Sequence, residues 1–343
     1  LAYASRQKVL YVGANDGMIH AFSAGQYNVE EKKFESGSTV GIGEELWAYV
    51  PQCLLPHLKW LAAPSYSHLS YVDLKPKVVD AKIFTPDATH PNGWGTILIC
   101  GMNMGGPAVT VTDAAFSGGA KAFSSSYVVL DITDPSQLPT LLWEKSFSGM
   151  GYSTNTPCIV KVNDAWFLVA TSGPTDYDGT STNPGRVYIA DLASGTLLRT
   201  FPSGLETSEN NAVMNSPIAL DKNMNYSVAA IYVGESYKGG SPSTWKAKAY
   251  KIAVPQLTNS VYDPLAYDDQ PANWKWVPLA DFSDLPQPGY FSAPFTVSVD
   301  NKDNAWIFLG TGRYITTADK TDENQNYLFG LKDSFYNSRG KAE

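Results

Sequence analysis

Four times the chain repeats one pattern: a proline, an apolar run of strand length, a polar turn, a second apolar run, and a glycine. One copy reads Pro157-Cys-Ile-Val-Lys-Val, turns at Asn163-Asp164, and returns through Trp166-Phe-Leu-Val-Ala to Gly173. Another starts at Pro294, turns over Asp300 to Asn304, and returns through Trp306-Ile-Phe-Leu to Gly310. A third runs from Pro217 over a longer polar loop, Asp221 to Ser227, to Ile231-Tyr-Val-Gly234. The fourth starts at Pro76 and ends Ile97-Leu-Ile-Cys-Gly101. Val9–Gly13 with Met18–Phe22 reads as the same unit near the N-terminus. A further strand follows each unit, at Tyr127, Arg186, Lys248 and Tyr327. Helical periodicity is almost absent. Short apolar, β-branched and aromatic runs between Gly, Pro, Asn and Asp clusters specify many short strands, and their recurrence specifies an all-β repeat fold. Continuous apolar strands beside alternating ones suit the blades of a propeller, whose central strands are buried on both faces. A pair of β-sandwiches satisfies the same pattern. Uneven spacing of the starts predicts irregular loop inserts, the largest Pro- and Asp-rich, over residues 255–290 of a single 343-residue domain.

Charge narrows the function. Only 17% of residues are charged, with 28 Gly and 22 Pro, as expected of an extracellular β protein with polar, uncharged loops. The net charge of −8 and the absence of any Lys/Arg run argue against a nucleic-acid partner. No apolar run is long enough to span a membrane as a helix. No leader opens the chain and Leu1 is not Met, so a further N-terminal part is expected upstream. Cys53, Cys100 and Cys158 lack metal-site spacing and read as small buried hydrophobes. No Gly-x-Ser-x-Gly, Gly-x-Gly-x-x-Gly or phosphate-binding loop occurs, and the four His have no ligand spacing, so no enzyme is expected. Asn15-Asp-Gly17 between two strand runs is a hairpin turn, and Gly101–Gly106 a wide turn.

The segment Val9-Leu-Tyr-Val-Gly-Ala-Asn-Asp-Gly-Met-Ile-His-Ala-Phe22 resembles a signature of the PilY/PilC family of type IV pilus proteins. Further landmarks follow in order: Glu45-Leu-Trp-Ala-Tyr-Val-Pro51, Tyr66-Ser-His68 with Val72-Asp73, Leu130-Asp-Ile-Thr-Asp-Pro135 with Leu142-Trp-Glu144, and Gly310-Thr-Gly-Arg-Tyr314 with Phe329-Gly-Leu-Lys-Asp333. They span nearly the whole chain. The resemblance implies the C-terminal domain of a pilus tip protein: a modified propeller of about seven blades. It further implies location at the cell surface, at the pilus tip or outer membrane, and a role in pilus assembly, retraction control, twitching and adhesion. Implied partners are pilins or minor pilins, the region upstream of Leu1, and a host or surface receptor.

The resemblance also implies a calcium loop with oxygen ligands at alternate positions. The matching segment is Asp221-Lys-Asn-Met-Asn-Tyr-Ser-Val-Ala229, with Asp221, Asn223 and Asn225 at the first three ligand positions and the Ser227 carbonyl at the next. Ala229 stands where the family has an acid, and Lys222 adds a positive charge. Asp176 and Asp178, alternating in Thr175-Asp-Tyr-Asp-Gly-Thr-Ser181, form a second candidate cation loop. Asp300–Asp303 reads as a turn, and Asp319 and Asp322 as partners of Arg313.

Two other function classes fit parts of the chain. A quinoprotein-like propeller dehydrogenase is echoed by Ile189-Ala-Asp-Leu-Ala-Ser-Gly195 and by Leu130-Asp-Ile-Thr-Asp with Trp143. A carbohydrate-binding lectin could use Trp245, Trp274, Trp276 and Tyr290.

Overall fold

A computed structural model describes residues 6–37, 40–204, 206–239, 243–255, 267–285, 289–302 and 304–333. The chain divides into two compact units. One comprises Leu1–Ser146 with Tyr152–Thr154, the other Phe147–Gly151 with Asn155–Glu343.

In the first unit, β1 (Lys8–Gly13) and β2 (Ile19–Asn28) form a hairpin extended by β3 (Lys33–Glu35) and β4 (Glu45–Tyr49), both paired to β2. A 3₁₀ segment, Gln52–Ala62, follows. Next come β5 (Lys77–Lys82), β6 (Trp94–Gly101), a two-stranded hairpin of β7 (Val109–Thr112) and β8 (Ala120–Phe123), then β9 (Tyr127–Asp131) and β10 (Thr140–Lys145). The second sheet has the order β10-β9-β6-β5, with the β7–β8 hairpin inserted between its two central strands in sequence. Residues Ile19, Trp47, Leu54, Tyr71, Leu98, Val128 and Leu130 share one core.

In the second unit, β11 (Cys158–Val162), β12 (Ala165–Thr171), β13 (Val187–Asp191) and β14 (Leu197–Phe201) make a four-stranded antiparallel meander. The next sheet contains β15 (Ala212–Met214), β16 (Ile218–Leu220), β17 (Ala230–Gly239), β18 (Thr244–Ala253) and β19 (Lys275–Asp281). There β15 and β16 pair with opposite halves of β17, so Pro217 divides one edge strand into two. The last sheet is β20 (Thr296–Val299), β21 (Ala305–Gly310) and β22 (Leu328–Lys332). One core joins side chains of all three sheets, among them Val169, Ile231, Trp276 and Ile307.

The repeated pattern now has a physical account. Each repeat proline precedes β5, β11, β16 or β20, all of them edge strands. Proline cannot donate to a ladder, so the start of an edge strand is where it fits. The second run of each unit is a central strand buried along most of its length, as in β6, β12 and β17. The glycines leave room for crossing segments. A Cβ on Gly13 would lie 2.6 Å from the Val72 carbonyl oxygen, and one on Gly234 2.6 Å from the Phe291 ring.

The chain is therefore all-β with blade-like antiparallel sheets. Among the described residues there are five sheets of three or more strands. Part of residues 255–290, read as irregular, forms the outer strand β19, because Val277 and its neighbours complete the β18 ladder with one register shift. Residues 256–266 and 286–288, and Asp303 of the Asp300 turn, lie outside the described residues. The 3₁₀ segment Gln52–Ala62 contains Pro56 and has no counterpart in the strand pattern of the sequence. No helix among the described residues is long and apolar enough to cross a membrane.

Candidate functional site

The long β16–β17 hairpin carries the first candidate cation loop. Asp221 follows β16 directly, and its carboxylate accepts the backbone N–H groups of Asn225 (3.2 Å) and Tyr226 (2.6 Å). The Asn225 side-chain oxygen accepts the Ser227 N–H at 3.0 Å. These bonds wind the loop tightly, with Met224 and Tyr226 in left-handed backbone conformations and both side chains projecting into solvent. The loop is anchored from outside. The Ser227 hydroxyl accepts the Asn163 N–H at 3.0 Å, and Asn223 donates to the Tyr267 hydroxyl at 2.9 Å. Asn163, at the tip of the β11–β12 turn, also donates its side-chain amide to the Tyr267 carbonyl. The β11–β12 turn and Tyr267 thus fix the loop.

The donor set fits a hard cation in kind and falls short in charge. A carboxylate has about four lone-pair directions, so the two N–H bonds at Asp221 leave capacity for an ion. Asn and carbonyl oxygens suit calcium. Yet Asp221 is the single carboxylate of the segment, Lys222 is buried beside it, and Ala229 is fully buried in the core, bonded through its backbone N–H to Leu220. Among the described residues no three His, Cys, Asp or Glu side chains gather where they could hold a metal.

The second candidate loop is closed differently. The Asp178 carboxylate accepts both the N–H (2.8 Å) and the hydroxyl (2.5 Å) of Thr180, which holds its pKa below the usual range. The Asp178 carbonyl accepts from Arg313, whose other terminal nitrogen donates to Asp319, while Asp176 is exposed. Arg313 lies over the Trp245 ring at 5.4 Å, and Trp245 meets Tyr290 edge-on at 4.8 Å. A guanidinium held at the Asp178 carbonyl opposes a divalent cation at this loop. Asp319 pairs with Arg313 as its spacing suggested, whereas Asp322 bonds through its backbone to Asp319.

The remaining candidates have local roles. Trp274 and Trp276 are buried in the core and offer no sugar-stacking surface, while Trp245 and Tyr290 line a cleft of about 220 Å³. Asp191 and Asp131, the acids that echo a quinoprotein blade, cap turns: Asp191 accepts from Ser194 and Asp131 from Thr133. Asn15-Asp-Gly17 forms the expected hairpin turn, where Met18 donates to Asp16 at 3.0 Å and Gly17 has φ 96°. His20 bridges Asp16 and Glu45, which raise its pKa against the opposing effect of burial. Cys53, Cys100 and Cys158 form no disulfide, and burial pushes the Cys100 pKa up to about 12.

Sequence reasoning missed the buried charged groups, Glu235 among them. Glu235 in β17 is fully buried, accepting the Tyr250 hydroxyl and the Glu209 N–H, each at 2.8 Å. Burial raises its pKa to about 7. Its place directly after the apolar run Ala230–Gly234 was the available signal.

Fold and site together define a domain of blade-like β-sheets with elaborated connecting loops. The family profile for the PilY1 β-propeller domain matches residues 1–343, and the chain belongs to that family. A type IV pilus biogenesis factor PilY1 homolog of Xylella fastidiosa is 28% identical over 95% of this chain and 19% of its own length. The type IV pilus biogenesis factor PilY1 of Pseudomonas aeruginosa PAO1 is 27% identical over 99% of this chain and 26% of its own length. The chain thus spans about a fifth to a quarter of these relatives. The crystal structure of the Pseudomonas aeruginosa PilY1 C-terminal domain superposes with a TM-score of 0.66 at 20% identity, covering 99% of this chain and 60% of that one, a likeness of fold.

Proposed function

We propose that this domain is a binding module of a type IV pilus biogenesis protein, held at the cell surface and engaging pilins or minor pilins through loops on a rigid β scaffold. The observation that carries this reading is the family match over residues 1–343, together with relatives described as pilus biogenesis factors. Closure of the sheets into a ring of about seven blades belongs to the same proposal, as do contributions to retraction control and surface adhesion.

Calcium enters as a weak ligand of the β16–β17 loop, through Asp221, Asn223, Asn225 and the Ser227 carbonyl. One carboxylate supports affinity of the order found in extracellular modules, roughly 10⁻⁴–10⁻³ M. The Asp176/Asp178 loop is left out because Arg313 occupies its carbonyl face.

Interferometry with the immobilised chain against the purified major and minor pilins of the same organism tests the module reading. Saturable binding to at least one pilin is expected, and no binding by any pilin would contradict it.

A further inference from the structure

The 3₁₀ segment and the β7–β8 hairpin enclose a groove of about 850 Å³ within the first unit. One wall carries Leu55, Trp60 and Tyr66, with exposures of 51%, 47% and 46%. The other wall is residues 107–111 in unbroken succession. Alternate strand residues point to opposite faces, so a wall made of consecutive residues presents the strand edge. Among the described residues β7 pairs only with β8, leaving its second edge without a ladder. Its sequence, Val-Thr-Val-Thr, has high strand propensity and none of the Lys, Pro or bulge features that protect edges.

Two polar features show what the groove is built to meet. His57 is 6% exposed and lines it. The His57 ring bonds to the Pro107 carbonyl, and Nε2 is buried without a partner. With Nδ1 donating to Pro107, Nε2 is an acceptor awaiting a donor. Lys59 is the sole charged lining residue, and no carboxylate lines a groove belonging to a chain of net charge −8.

We propose that this groove captures an extended peptide of a partner protein as a third strand on β7. The peptide's backbone pairs with Val109–Thr112, its apolar side chains lie against Leu55, Trp60 and Tyr66, and a carboxylate faces Lys59. This deepens the binding-module reading and rests on it. Strand addition draws affinity from the backbone and specificity from pockets for alternate side chains.

The test is selection of phage-displayed random dodecapeptides on the purified chain, counter-selected on the Trp60→Ala/Tyr66→Ala variant, whose changes are exposed. Winners should alternate apolar and polar residues and carry Asp or Glu. A synthetic winner, read by fluorescence anisotropy, should lose at least tenfold affinity when alternate amides are N-methylated, an arm that leaves the chain unaltered. Lys59→Glu should weaken it three- to tenfold, and amide exchange at Val109–Thr112 should slow on binding. No enrichment, or winners indifferent to N-methylation and to Trp60→Ala/Tyr66→Ala, would overturn the proposal. These readouts use the purified chain and a synthetic peptide, so peptide capture and pilin binding can fail separately.

Discussion

In the calcium reading proposed above, Ala229 limits how strongly the β16–β17 loop holds a cation. It sits at the position where an acid would complete the alternate oxygens, and it is fully buried. Ala229→Asp should therefore destabilise the metal-free chain by ~2 kcal/mol or more, the cost of burying a polar group without compensation. Calcium should return that loss. For the unsubstituted chain, 5 mM calcium against a millimolar affinity adds about 1 kcal/mol. Scanning calorimetry in chelator and in calcium measures both. The calcium-induced rise in Tm should be larger in Ala229→Asp; equal rises would show that this loop is not the ligand set. Another test at this scale concerns the buried pair of Lys251 and Asp333, with the ammonium 3.0 Å from both carboxylate oxygens and the Tyr232 hydroxyl donating at 2.7 Å. It ties β17 and β18 to the residue after β22. Asp333→Ala strips a buried ammonium of its carboxylate and should cost about 3–5 kcal/mol in urea unfolding. Lys251→Met/Asp333→Leu should recover more than half of it.

At the scale of elements, β17 should carry a pH dependence. Burial raises the Glu235 carboxyl from 4.5 to about 7, so the folded state holds this proton more tightly than the unfolded chain. Its contribution is full below about pH 4.5 and is lost as pH rises through about 7, on the order of 3 kcal/mol in all. Tyr250, Glu209, Lys248 and Asp281 set the surrounding field. Glu235→Gln should flatten stability between pH 5 and 8 and raise it at pH 8, measured by urea unfolding across that range. An unchanged pH slope would remove Glu235 as its source.

The same scale shows why some elements were legible and others were not. Strands β6, β12, β17 and β21 announced themselves because central strands must be continuous and apolar, and their edge partners because each follows a proline. The outer strand β19 was hidden. Pro278 interrupts it at a register shift opposite Ala249 and Tyr250, an irregularity that an edge tolerates and a sequence pattern does not reveal. The candidate loop at Asp221 was visible from its alternate oxygens, but its anchoring by Asn163 and Tyr267 joins residues distant in sequence. The β7 groove was illegible for the same reason: Trp60 and Val109 meet only through tertiary packing.

For the whole molecule, the proposed function is a scaffold of β-sheets that serves pilus biogenesis by binding. The sheets supply rigidity through apolar cores, and in the proposed reading the connections supply recognition. Scaffold and recognition should therefore be separable. Trp60→Ala/Tyr66→Ala should keep its Tm within about 2 °C, since exposed substitutions rarely exceed ±0.5 kcal/mol, while losing its peptide. The most direct measurement is the number of surface pili per cell, counted by electron microscopy, after removing residues 1–343 from the chromosomal protein while the remainder is still exported. The account predicts a loss of most pili and recovery when the intact sequence is restored. An undiminished pilus count without this domain would contradict it.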